Sequence, residues 1–262
     1  MLHAANMVEG RASYPSLKGK KVIVTGGGSG IGESIVEAFA AQGARVAFVD
    51  IADGPSRALV DRLTPVCEQA PLYAPCDLTD LESLAATFAG FERALGGVDI
   101  LVNNAANDDR HTCEEVTPAY WDNRINVNLR HQFFAVRAVI PAMQRAGRGA
   151  IVNLGSISWH LALPHLVVYQ TAKAAIEGMT RALARDLGMH NIRVNTIVPG
   201  AVKTPRQDAL WHSEGETQRI LDSQCLKERV MPSDIAAMAL FLASDDARMC
   251  TAHSYFVDAG WR

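Results

Sequence analysis

Short apolar runs alternate with longer amphipathic stretches along most of the chain. Val22–Val24, Val46–Val49, Leu72–Ala74, Ile100–Val102, Ile151–Leu154, Val194–Val198 and Tyr255–Val257 have strand length and are mostly β-branched or aromatic. Between them, residues 31–41, 81–94, 119–145, 169–189 and 232–243 carry apolar positions at helical spacing, with Pro141 placed to kink the third stretch. Strands that are apolar on both faces belong in a parallel sheet with helices on both sides. The pattern therefore predicts an α/β fold with a doubly wound parallel sheet. No Pro/Gly/Ser-rich linker breaks the rhythm, so residues 18–262 are expected to form a single domain after a flexible N-terminal arm of residues 1–17. The one long irregular stretch, at about 200–231, is expected to be a lid or binding segment.

Composition narrows the possible partners. With 48% hydrophobic and 20% charged residues, the chain is globular and has enough apolar material for one core. A net charge of −3 without any Lys/Arg run argues against nucleic acid and anionic membrane surfaces. No apolar stretch reaches about 18 residues and the start lacks a secretory apolar region, so a cytoplasmic protein is expected. The cysteines Cys67, Cys76, Cys113, Cys225 and Cys250 are widely spaced and read as reduced. The histidines His111, His131, His165, His190, His212 and His253 show no metal-ligand spacing, so no metal is expected.

Two local patterns carry chemistry. Thr25-Gly26-Gly27-Gly28-Ser29-Gly30-Ile31-Gly32 runs from a strand through a glycine-rich turn into a helix. Glycines let the backbone approach a pyrophosphate, which helix N–H groups can bind, although such a turn also serves as a plain tight connection. Asp50, followed by Ile51, closes the next strand where a carboxylate accepts from ribose hydroxyls and repels a 2′-phosphate, which favours NAD over NADP. In Tyr169-Gln170-Thr171-Ala172-Lys173, a phenol and an ammonium lie four apart. On a helix they share a face, roughly 6 Å apart at Cβ, so Lys173 could lower the phenol pKa towards neutrality.

Together with Asp77, Asn103-Asn104-Ala105-Ala106, Val127-Asn128-Leu129, Ser156 and Pro199-Gly200, these motifs resemble the short-chain dehydrogenase/reductase superfamily over residues 18–262. Ala106 stands where that family commonly has Gly. The resemblance implies a seven-stranded Rossmann-like sheet, a homotetramer and a catalytic tetrad of Asn128, Ser156, Tyr169 and Lys173. Tyr169 would accept the alcohol proton, Ser156 would hold the same oxygen, and Asn128 would hold a relay water. Lys173 would lower the phenol pKa and bind the nicotinamide ribose. Asp77 and Leu78, Asn104 to Ala106, and Pro199, Gly200, Val202 and Thr204 would complete the NAD site.

The variable segments decide the substrate. Asn107, Ser158, Trp159, His160, Arg206 and Gln207, with Ser156 and Tyr169, are expected around a polar pocket suited to a small polyol. Asp109 and Arg110 could reach it, or could instead pair structurally near Arg124 and Arg130. The strings NDDRH, YWDNRINVNLRH, GSISWH and VDAGWR further resemble aldose dehydrogenases of this superfamily, D-xylose 1-dehydrogenases among them. That resemblance implies oxidation of the C1 hydroxyl of an aldopyranose of the D-xylose, L-arabinose, L-fucose or D-galactose type to a lactone. The alternative is a secondary hydroxyl on a sugar acid of the 2-keto-3-deoxy type, with an arginine holding the carboxylate. Trp261-Arg262 could cap the core or reach a neighbouring active site.

Overall fold

Each of the seven apolar runs forms a strand in a computed structural model that describes residues 12–261. The strands are β1 (Lys21–Thr25), β2 (Arg45–Asp50), β3 (Leu72–Pro75), β4 (Ile100–Asn103), β5 (Gly149–Leu154), β6 (Ile192–Pro199) and β7 (Ser254–Val257). They build one sheet in the order β3-β2-β1-β4-β5-β6-β7, with every pairing parallel. The helices are α1 (Gly30–Ala41), α2 (Asp53–Leu63), α3 (Leu81–Leu95), α4 (Pro118–Ile125), α5 (His131–Ala146), α6 (Val167–Leu187), α7 (Pro205–Leu210), α8 (Glu214–Ser223) and α9 (Pro232–Ala243).

Side-chain alternation divides the core into two layers. Val22, Val24, Val46 and Phe48 pack with Ile35 and Phe39 of α1 and Ile235 and Ala239 of α9. Ile23, Ala47, Val49 and Leu101 pack on the other side with Phe88 of α3, Val136 and Met143 of α5 and Leu187 of α6. Chain order reverses at β1, which lies between β2 and β4, and this opens a crevice at the carboxyl ends of the strands. Asp80 ends the approach to α3 by accepting from the N–H groups of Glu82 and Ser83, and Gly96, at φ 76°, closes that helix.

Three elements differ from the sequence pattern. Helix α2 was not anticipated, because it buries only the narrow stripe Ser56, Leu59 and Leu63. The helical stretch 119–145 is interrupted by a π-helical segment at Asn126–Arg130, whereas Pro141 sits inside α5 without ending it. The stretch 200–231 is not irregular throughout, since it holds α7 and α8. Thr204 accepts from Gln207 N–H at 3.2 Å and Ser213 from Glu216 N–H at 3.3 Å, caps that were readable in Thr204-Pro205 and Ser213-x-x-Glu216.

Of the expected N-terminal arm, residues 1–11 lie outside the described residues. Residues 12–17 pack against the domain, with Leu17 fully buried and Tyr14 N–H bonded to Gln42 Oε1 at 2.7 Å. Among the described residues no helix is long and apolar enough to cross a membrane.

Candidate active site

The glycine-rich turn joins β1 to α1 at the crevice. Gly26 and Gly30 adopt φ values of 65° and 57°, where a side chain is strained. A Cβ on Gly32 would overlap the Gly26 carbonyl oxygen and lie 2.6 Å from Asn104 Nδ2, so glycine is what lets α1 start against the turn. Asn104 braces the turn by donating from Nδ2 to the carbonyls of Thr25 (3.0 Å) and Gly26 (2.8 Å). Asp50 accepts from Gly28 N–H at 2.8 Å and Ala52 N–H at 2.9 Å, which fixes its carboxylate beside the turn. Ser29 makes no side-chain bond to the first amides of α1, leaving those donors at the cavity end of the helix.

A cavity of about 800 Å³ runs from this turn to the carboxyl end of β5 and the start of α6. Every residue expected to hold the cofactor lines it except Gly28, which lies behind Asp50, where a Cβ would overlap Ser56 Oγ. At the far end stand Ser156, Tyr169 and Lys173. Ser156 follows β5 and caps a 3-10 turn at Ile157–Trp159, and its hydroxyl donates to Ser158 Oγ at 2.9 Å. Lys173 is buried one turn beyond Tyr169 on α6. Its Nζ donates to Leu154 O at 2.8 Å and lies 5.5 Å from the Tyr169 ring centroid.

Enclosure decides the proton affinities here. It pushes the Tyr169 phenol well above the ordinary tyrosine range; the Asp108 carboxylate adds to the rise, and a hydrogen bond with Ser156 opposes it. Burial also lowers Lys173 to about 7, against a smaller opposing pull from Asp108. Burial, rather than Lys173, dominates the proton affinity of the phenol in this structure. The cost of burying the charge outweighs what the Ser156 hydrogen bond supplies.

Asn128 is fully buried in the π-helical segment and does not line the cavity. Its Oδ1 accepts from Asn107 N–H at 2.8 Å, and Nδ2 donates to the carbonyls of Asn107 and Arg124, both at 3.0 Å. Both amide hydrogens are thus spent on the backbone. Asn128 places Asn107, and its amide hydrogens are not available to the relay water expected of it.

His131, next along, is enclosed with its Nε2 3.1 Å from Ala105 O, and burial lowers its pKa to about 4. Between pH 6.5 and 4 the unfolded chain binds a proton there that the folded chain refuses, so stability falls as pH drops through this window, by roughly 3 kcal/mol in full. Urea midpoints measured between pH 7 and 4 should therefore fall less steeply in His131→Gln than in the parent. Parallel slopes would show that His131 does not set this dependence.

Among the residues expected at the substrate, Asn107, Ser156, Ser158, Tyr169, Arg206 and Gln207 line the cavity. Trp159 and His160 do not. The 3-10 turn rotates them away, so that Trp159 Nε1 (2.8 Å) and His160 Nε2 (2.9 Å) both reach Glu177 Oε1 and the two rings stack at 3.7 Å. No ion pair joins Asp109 to Arg124 or Arg130 among the described residues. The Arg110 guanidinium lies 4.4 Å from the Trp211 ring centroid. Trp261 packs with Ile157, Val198 and Ile220 against its own chain's cavity, and Arg262 lies outside the described residues.

Two residues of the Asn107–His111 loop take roles that local sequence spacing does not signal. Asp108 lies in the cavity wall, with Oδ2 accepting from Gln207 Nε2 at 2.6 Å and Oδ1 from Arg206 Nη2 at 3.3 Å. These partners are about a hundred residues away in sequence, and no local spacing signals the pairing. His111 accepts from Val168 N–H at 3.3 Å, so it ties the substrate loop to the start of α6 one residue before Tyr169.

A family model described as Enoyl-(Acyl carrier protein) reductase matches residues 26–262. The chain belongs to the short-chain dehydrogenase/reductase family. This dehydrogenase/reductase is 58% identical over 253 residues to the D-xylose 1-dehydrogenase of Caulobacter vibrioides (strain NA1000 / CB15N), covering 96% of this chain and 99% of that one. It is 48% identical over 249 residues to the "Probable galactose dehydrogenase GalD" of Rhizobium meliloti (strain 1021), covering 95% and 97%. A solved short-chain type dehydrogenase/reductase from Mycobacterium ulcerans shares the fold with a TM-score of 0.89 at 26% identity, over 95% of this chain and 91% of that one. The chain is accordingly an oxidoreductase.

Proposed function

We propose that this enzyme oxidises the C1 hydroxyl of an aldopyranose, of the D-xylose or D-galactose type, to the lactone with NAD as acceptor. The observation that carries the reading is the convergence of Ser156, Tyr169 and Lys173 with the polar groups Asn107, Asp108, Ser158 and Gln207 in one cavity of about 800 Å³. A sugar ring presents a hydroxyl at nearly every carbon, and each needs a partner when water is displaced, or costs about 1–3 kcal/mol. The names of the relatives at 58% and 48% identity point the same way.

The cavity fits the nucleotide. Glycine backbone, undecorated at Gly26, Gly30 and Gly32, and the first amides of α1 suit a pyrophosphate, and the fixed Asp50 carboxylate suits a ribose diol. The residues lining the cavity around Asp50 (Ser29, Glu33, Ile51, Ala52, Asp77 and Thr79) include no base to hold a 2′-phosphate. When bound, oxidised nicotinamide supplies the acceptor for the C1 hydride. The protein's part is proton handling and orientation. Ser156 Oγ holds the C1 oxygen and Tyr169 Oη, once its own proton has passed to solvent, takes the C1 hydroxyl proton, while Lys173, anchored on Leu154 O, fixes the tyrosine's helix face. Asn128 and His111 act behind these groups by setting the Asn107–His111 loop.

A sugar-acid substrate is less well served, because Arg206 is already engaged by Asp108 (3.3 Å) and by Asn107 Oδ1 (3.4 Å). The proposal includes a homotetramer, as the superfamily resemblance implies, working in the cytoplasm. One experiment tests the reading: aldoses, 2-keto-3-deoxy acids and simple alcohols assayed with NAD and NADP, on the parent and on Asp50→Ala. Lactone from an aldose with NAD, and a narrowed NAD preference in Asp50→Ala, are the expected results. Strong turnover of a keto-deoxy acid with no aldose oxidised would overturn the substrate, and equal use of NADP by the parent would overturn the cofactor.

A further inference from the structure

We infer that Asp108 is the residue that selects neutral sugars over sugar acids, an inference that rests on the aldose reading above. Its side chain is 20% exposed in the loop after β4 and faces α7 across the cavity. One carboxylate oxygen accepts from Gln207 Nε2 at 2.6 Å and the other from Arg206 Nη2 at 3.3 Å. Arg206 is half exposed, so its charge only partly offsets that of Asp108.

Several other polar or charged groups lining the cavity have partners of their own, while Arg124 lines it without an ion pair among the described residues. Glu216 is held by Arg219 at 2.9 and 2.6 Å, Lys173 by Leu154 O, His212 by Arg229 at 2.6 Å, and Arg110 lies over Trp211. The negative charge of Asp108 reaches the reacting centre, where it raises the proton affinity of both Tyr169 and Lys173. A neutral ring hydroxyl can donate to this carboxylate. A substrate carboxylate in the same cavity meets a like charge at Asp108, whose nearest guanidinium, Arg206, is already engaged. At an effective dielectric near 20 and a separation on the order of 10 Å, the repulsion corresponds to about tenfold in specificity.

D-galactose and D-galacturonate share the reacting carbon and differ at C6, where a hydroxymethyl group is replaced by a carboxylate. The measurement is the ratio of kcat/KM for the two sugars in the parent, Asp108→Asn and Arg206→Ala, at low and high salt. Asp108→Asn keeps the shape and should narrow the galactose preference about tenfold. Arg206→Ala leaves the Asp108 charge unscreened and should widen it. Both shifts should shrink in salt. Opposite signs separate an effect of charge from a loss of structure, which would lower both sugars together. A ratio changed by less than twofold in Asp108→Asn would overturn the inference, as would galacturonate left inert by both parent and variant while galactose turns over. A parent that oxidises no aldose would overturn the aldose reading, and this inference with it.

Discussion

Tyr169→Phe should lose turnover by about 10²-fold or more while still binding NADH, because it deletes the proton acceptor and keeps the ring. The ring is part of the wall between Ser156 and Lys173, so a phenylalanine leaves the packing of α6 and the Lys173 bond to Leu154 O intact. In the parent the phenol starts protonated at neutral pH, since enclosure raises its pKa. Its kcat/KM for oxidation should therefore rise with pH from neutral into the alkaline range, and the residual rate of the variant should lack that rise. Steady-state rates across pH, with NADH binding followed by fluorescence, check both halves. Near-parental turnover in the variant would assign the proton transfer to another group.

The second large effect is expected at Gly32→Ala. The added Cβ overlaps the Gly26 carbonyl oxygen and crowds Asn104 Nδ2, both parts of a backbone turn that cannot rotate away. Separating α1 from the turn costs about 1–3 kcal/mol or more in overpacking. It also moves the amides that would meet the pyrophosphate, so NADH affinity should fall at least tenfold, about 1.4 kcal/mol. Gly54→Ala on α2 is the control, because a Cβ there has nothing within 4 Å. It should leave NADH affinity unchanged and stabilise the fold slightly, by up to about 1 kcal/mol. NADH titration and urea unfolding distinguish the two. Equal affinity in both variants would mean that the turn does not hold the nucleotide.

The legible parts of the site are those whose logic is local. The glycine turn declares itself because backbone that must approach another chain segment closely cannot carry side chains, and Gly26, Gly30 and Gly32 satisfy that within one short run. Tyr169 and Lys173 share a face because any helix places residues four apart together. Helix α2 was harder, because a half-solvated helix with Ser56, Leu59 and Leu63 buried leaves little periodicity to read. Trp159 and His160 misled, since they lie three and four residues after Ser156 but a 3-10 turn gives its side chains directions that neither strand nor α-helix spacing anticipates.

The sequence by itself determined the parallel sheet, through strands apolar on both faces. It also determined the glycine-rich turn and the placing of Tyr169 and Lys173 on one helix face. Tertiary structure alone decided that Asp108 meets Arg206 and Gln207 across the cavity, that Asn128 spends its amide on Asn107, and that enclosure outweighs the Ser156 hydrogen bond at Tyr169. The physical reason is range. Helix and strand periodicities act within a few residues, whereas desolvation and charge pairing depend on which distant segments the fold brings to the same cavity.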